Sequence, residues 1–186
     1  MNEHVKKHSV QWGLIVAAIG ISYYVVAYSV DWSLYTNWVA GLLILFLNIG
    51  LLIVPVVKVK KAQGGFLSFK EGFSAYVVAW IVQSLVSVTF SILLFNVIDP
   101  QAGVEINEMI IDAQIEMMEG FGMPDQQLAE AVEQLEGQNS FSVETQVTGM
   151  IKGIVLGAVI GLIVGAIFSK KRPFLDNEQQ EETLDA

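Results

Sequence analysis

Four stretches of this chain, each about 20 residues long, are nearly free of charge: about 10–30, 38–57, 73–98 and 146–168. No other feature limits the fold so strongly, because ~20 apolar residues in a helix cross the hydrocarbon core of a bilayer. That core holds no water to bond the backbone, so each run must satisfy its own N–H and C=O groups as a helix. Hydrophobic residues make up 53% of the 186 and charged residues only 16%, and the charges gather between the runs. That composition argues against an ordinary soluble domain. The sequence therefore predicts an all-α membrane protein with four transmembrane helices, a single membrane domain over 1–172 and a disordered acidic cytoplasmic tail over 173–186. The first run follows Lys6 and Lys7, as in a signal peptide. Its apolar stretch exceeds the ~7–15 residues of an h-region, and we expect a retained helix.

Nine of the ten basic residues fall on one side of a four-pass chain: Lys6 and Lys7, then Lys58, Lys60, Lys61 and Lys70, then Lys170, Lys171 and Arg172. The positive-inside rule makes that side cytoplasmic and puts both termini there. Tyr23, Tyr24, Tyr28, Trp32, Tyr35 and Trp38 crowd the opposite end of the first two helices, where an interfacial aromatic belt belongs.

Between the third and fourth runs, residues 99–144 carry eleven acidic residues and no basic one. Asp99-Pro100 stops the third helix. Ile106, Met109, Ile110, Ala113 and Met117 then recur at helical spacing, and Leu128, Ala131, Val132 and Leu135 repeat the pattern after Pro124. The result expected is an extracytoplasmic amphipathic helical hairpin over about 101–138, between helices 3 and 4. Its carboxylates read as a solvated face; a divalent-cation or basic-partner surface is the sharper alternative. No D-x-D-x-D-G calcium loop is present.

The fourth run holds Gly149, Gly153, Gly157, Gly161 and Gly165 at a strict spacing of four. Each costs a helix about 1 kcal/mol against alanine. Close backbone packing can offset this, since helices in lipid gain nothing from hydrophobic association. The partner is left open as the first helix, the third, or another copy. Gly13, Ala17, Gly20 and Ala27 give the first helix a small face that could receive the ridge, while Ile154, Val155, Val159, Ile163 and Ile167 cover its other faces and suit lipid. Polar side chains within the runs are Asn48, Gln83, Ser84, Ser87, Ser91 and Lys152, candidates for a polar path or for interhelical hydrogen bonds. Lys152 is expected either to snorkel outward or to pair with Asp31, Asp99 or Glu144. Ser68 and Glu71 form a capping-box pattern that starts the third helix near Phe69, after a turn at Gly64-Gly65. Pro55 falls near the cytoplasmic end of the second run.

Much chemistry is missing. There is no cysteine, and the two histidines, His4 and His8, both precede the first span. No phosphate loop, nucleophile elbow or H-E-x-x-H pair occurs. We expect no catalytic residues, no cofactor and no metal, and the lack of a basic patch argues against nucleic acid. The partners expected are the bilayer and either a second copy or another membrane protein. The reading is a non-enzymatic interaction or assembly protein; the alternative is a small permease or channel subunit with a polar path along helix 3.

Taken together, "GGFLSFKEGF" before the third helix, "IDP" after it, "MMEGFGMPDQQLAEAVEQ" in the hairpin and a glycine-rich last helix ending in "SKKR" resemble the bacterial family called domain of unknown function 4199. The likeness runs from about Gln11 to Arg172. It implies a small inner-membrane protein of Gram-negative bacteria, uncharacterised, and brings no activity or site residue with it.

Overall fold

The structure, a computed structural model, describes residues 2–170. The expected acidic tail at 173–186, and Lys171 and Arg172 of the basic cluster, lie outside the described residues. The elements run in order α1 (Glu3–Val30), a 3-10 turn (Trp32–Tyr35), α2 (Trp38–Leu51), α3 (Val54–Ala62), α4 (Phe69–Leu93), a π-helical turn (Leu94–Ile98), α5 (Pro100–Gly120), α6 (Asp125–Glu136) and α7 (Val143–Phe168). Four helical segments are long and apolar enough to cross a membrane: Glu3–Val30, Trp38–Ala62, Phe69–Ile98 and Val143–Phe168.

The second of these is broken at Leu52-Ile53 into α2 and α3. Pro55 explains the break. It has no N–H to give, and its ring would collide with the carbonyl four residues earlier. The Ile53 N–H turns to the Gly50 carbonyl at 3.2 Å, and α3 restarts with Pro55 in its first turn, where the missing donor costs nothing.

Packing divides the chain into two compact units. Among the described residues the first comprises 2–16, Asn48–Gln83 and 153–170. Its core is Val5 and Val16 of α1, Leu52, Val56 and Val59 around the break, Ala75, Tyr76, Ala79 and Trp80 of α4, and Val164 of α7. Leu67, from the loop before α4, is buried among them.

The second unit comprises Ala17–Leu47 and Ser84–Lys152. Leu94, Phe95, Ala102, Ile106 and Phe141 form its core, lined by Tyr24, Tyr28, Trp32 and Tyr35. These aromatics therefore pack inward rather than standing only in an interfacial belt. Tyr35 meets Tyr24, Phe95 and Phe141 edge-on at 5.7, 6.0 and 6.3 Å between ring centroids. Trp38 alone of the group stays mostly exposed, at 68%. No residue of α2 is buried. Leu43 and Phe46 are two-thirds exposed, as side chains that face lipid would be.

Candidate functional site

The glycine ridge of α7 is a packing seam over part of its length. A methyl group placed on Gly157 would lie 2.6 Å from the Trp80 indole, on Gly161 2.8 Å from Val77, and on Gly165 3.0 Å from the backbone nitrogen of Phe73. All three contacts are to α4, which answers the open question of the partner for this stretch. At the end of the seam glycine faces glycine: a methyl on Gly72 would come within 3.2 Å of the Gly165 Cα. Gly149 and Gly153 have open space at the same spacing. The residues assigned to lipid behave accordingly, with Val155, Val159, Ile163 and Ile167 between 51% and 70% exposed, while Ile154 packs against the core.

The small face of α1 does not receive this ridge. Gly13 lies against the Ala79 carbonyl and Val82, and the nearest atom to Gly20 is the Ser87 hydroxyl at 3.9 Å; all three neighbours belong to α4. Gly13 and Gly20 of α1 and Gly157, Gly161 and Gly165 of α7 thus all face α4.

The start of α4 is tied at several points. Gly64 and Gly65 turn the chain with positive φ values of 74° and 92°, which other residues rarely adopt. Glu71 then accepts hydrogen bonds from the Ser68 N–H at 3.1 Å, the Ser68 hydroxyl at 2.8 Å and the Gln63 amide at 2.8 Å. Its own N–H donates to the Ser68 hydroxyl at 3.2 Å, completing the capping box. Leu67 and Lys170 exchange backbone hydrogen bonds of 3.0 and 2.7 Å, and the Lys60 ammonium caps the last turn of α7 by donating to the Phe168 carbonyl at 2.9 Å. The stretch "GGFLSFKEGF" is thus a junction that joins α3, α4 and the end of α7.

At the other unit, Asp99 plays the matching part. The π turn closes with the Asp99 N–H on the Leu94 carbonyl at 2.8 Å. The carboxylate accepts from the Ala102 N–H at 3.0 Å, capping α5, and from the Tyr28 hydroxyl at 2.8 Å. The Ala102 bond, then the Tyr28 bond, hold the Asp99 carboxyl below its ordinary value of 3.8. Pro100 occupies the first turn of α5, and Gly103 is needed there because a methyl would sit 3.1 Å from the Phe95 carbonyl. Asn107, nearly buried, clamps the return of the chain: its carbonyl accepts from the Ser140 N–H at 2.8 Å and its amide donates to the Gln138 carbonyl at 3.1 Å. Asn96 and Gln146 both donate to the Phe141 carbonyl, at 2.9 and 2.8 Å.

The hairpin has the expected two helices, α5 and α6, packed on each other. Gly122, at φ 73°, makes the turn, and Pro124 precedes α6 rather than entering its first turn. Phe121 stands 85% exposed at the tip and Met117 47%. No described side chain between Asp125 and Leu135 is fully buried, so the apolar stripe of α6 is only half covered.

The candidate polar residues do not share one environment. Ser91 is buried, Ser84 half-buried and Lys152 exposed. Asn48, Gln83 and Ser87 each have a partner. The ion pair proposed for Lys152 is not formed: Asp31 caps the 3-10 turn by accepting from the Ser33 N–H at 2.9 Å, Asp99 is engaged as described, and Glu144 lies in the first turn of α7. Among the described residues no three of His, Cys, Asp or Glu are gathered closely enough to hold a metal ion.

One comparison with known proteins decides kinship. A family model described as "Protein of unknown function (DUF4199)" matches residues 11–170. The chain belongs to this family. The DUF4199 match takes in the α4 junction, the Asp99 cap, the hairpin and the glycine seam, so it covers both units apart from the first turns of α1. Neither the curated proteins nor the solved structures yielded a match.

Proposed function

We propose that this DUF4199 chain is a bacterial inner-membrane protein with both termini cytoplasmic, that its α5–α6 hairpin faces out, and that it works by binding another protein rather than by catalysis. The observation that carries this reading is the hairpin itself. It is tied down at both ends, by the Asp99 cap and the Asn107 clamp, yet it leaves an apolar stripe half covered and Phe121 exposed. A chain that anchors a helical pair so firmly and leaves its apolar side open is built to present a surface. Exposed apolar area rimmed by polar groups marks interaction sites in general. The distribution of lysines supports the orientation.

Because the chain has no cysteine, each introduced one is unique. Gln126→Cys should react in intact cells with a membrane-impermeant maleimide, and Lys61→Cys should react only after lysis. A photo-crosslinking residue at Phe121 should give a discrete protein adduct, and one at Leu43 on lipid-facing α2 should not. Labelling of Lys61→Cys from outside would overturn the orientation, and no adduct at Phe121 would overturn the binding role.

A further inference from the structure

We infer that the α5–α6 hairpin is a groove for a basic amphipathic helix, an inference that rests on the binding role just proposed. Two grooves, of about 450 and 510 Å³, run along the hairpin and share Ile115. Ile111 and Ile115 of α5 and Leu128 and Val132 of α6 supply their apolar floor, and Asn107, Gln138 and Asn139 add polar groups to the first groove. Carboxylates line their edges: Glu108 and Asp112 along the first, Glu119, Asp125 and Glu133 along the second. All five acids are exposed. No lysine, arginine or histidine occurs anywhere from 99 to 144 to neutralise them.

Charge and shape together select the occupant. Apolar side chains from two packed helices take one face of a further helix, read as anchors at i, i+3, i+4 and i+7. Carboxylates on the edges require cations flanking that face, and exclude an acidic or anionic-lipid surface by like-charge repulsion. A bare cation would gain from the edges and nothing from the floor.

The test uses the full chain in nanodiscs of zwitterionic lipid and a fluorescent 18-residue peptide of leucine and lysine in helical register. A companion peptide carries glutamine for lysine. The lysine peptide should bind saturably, and affinity should fall at least tenfold when Glu108, Asp112, Glu119, Asp125 and Glu133 are changed to Gln or Asn. It should fall similarly with the glutamine peptide. The inference is overturned if the wild type fails to bind, if the five-site variant stays within twofold, or if the glutamine peptide binds equally. Should the five-site variant lose helix content by circular dichroism, Glu119→Gln with Glu133→Gln is read instead, with a threefold loss expected and an unchanged affinity overturning. Crosslinking at Phe121 in cells separates this from the wider reading. An adduct that survives the carboxylate changes retains the binding role and rejects the basic helix; peptide binding without any adduct does the reverse.

Discussion

Alanine placed along the α7 ridge should give opposite signs at identical spacing. At Gly149 nothing lies within 4 Å of an added methyl, so the change keeps only the helix-propensity gain of up to about 1 kcal/mol. At Gly157 the methyl would stand 2.6 Å from the Trp80 ring, against 3.4 Å for an ordinary contact, a shortfall of 0.8 Å. Trp80 is only 9% exposed and packs beside Tyr76 at 5.9 Å, so the ring has little room to yield. Overpacking of this kind costs about 1–3 kcal/mol, and setting the propensity gain of up to about 1 kcal/mol against it leaves a net loss of up to about 2 kcal/mol. For a chain of this size 1 kcal/mol moves the melting temperature by roughly 2–4 °C. Gly157→Ala should therefore melt up to about 8 °C below wild type, and Gly149→Ala up to about 4 °C above it. Gly165→Ala should behave like Gly157→Ala, since its obstacle is the Phe73 backbone. Thermal unfolding in detergent, followed by tryptophan fluorescence, measures all three. Equal shifts of one sign at Gly149 and Gly157 would refute the seam.

Asn107→Ala should strand the half-buried Ser140 N–H and cost about 1 kcal/mol, seen as lower melting temperature and faster amide exchange at 138–140. Ser68→Ala should remove the α4 cap at about 1 kcal/mol, with exchange rising at Phe69–Glu71 rather than across the helix. The lowered pKa of Asp99 means its carboxylate stabilises the fold above the ordinary value of 3.8 and loses that contribution as pH falls through the folded value. Asp99→Asn should accordingly flatten the acid side of a melting-temperature profile below about pH 4 and leave neutral-to-basic dependence alone. In proteoliposomes, Gln83→Leu and Lys152→Ala should leave solute flux as negligible as in wild type; a measurable wild-type flux abolished by either change would favour a permease.

The parts of this fold governed by local rules were legible in the sequence. Run length alone located the four apolar helices, and Ser68 with Glu71 marked the start of α4 to the residue because a capping box is complete within four positions. The Asp99-Pro100 stop and the two helices of the hairpin followed from the same local logic. What periodicity cannot carry is which neighbour a face meets. A spacing of four defines the ridge on α7 but holds no sign that Trp80 and Phe73 fill it, or that Gly149 and Gly153 lie open. Nor does it separate the inward packing of Tyr24, Tyr28 and Tyr35 from an aromatic belt, since both put them at the same height. The bond from Tyr28 to Asp99 joins residues 71 apart, and that from Lys60 to Phe168 joins residues 108 apart, so no local pattern could announce either. For Lys152 the sequence left snorkelling and an ion pair open; the side chain is exposed, and Asp31 and Asp99 accept from donors in their own turns.

Gly13 on one side and Gly157, Gly161 and Gly165 on the other bring α1 and α7 against α4 at backbone distance within the first unit. Inserting or deleting one residue between Phe73 and Val82 would turn everything beyond it by about 100° and uncouple one neighbour whenever it kept the other. This stretch of α4 is therefore free to drift in residue type at its edges but locked in length, and relatives that differ in size should accommodate their extra residues in the turns and never here.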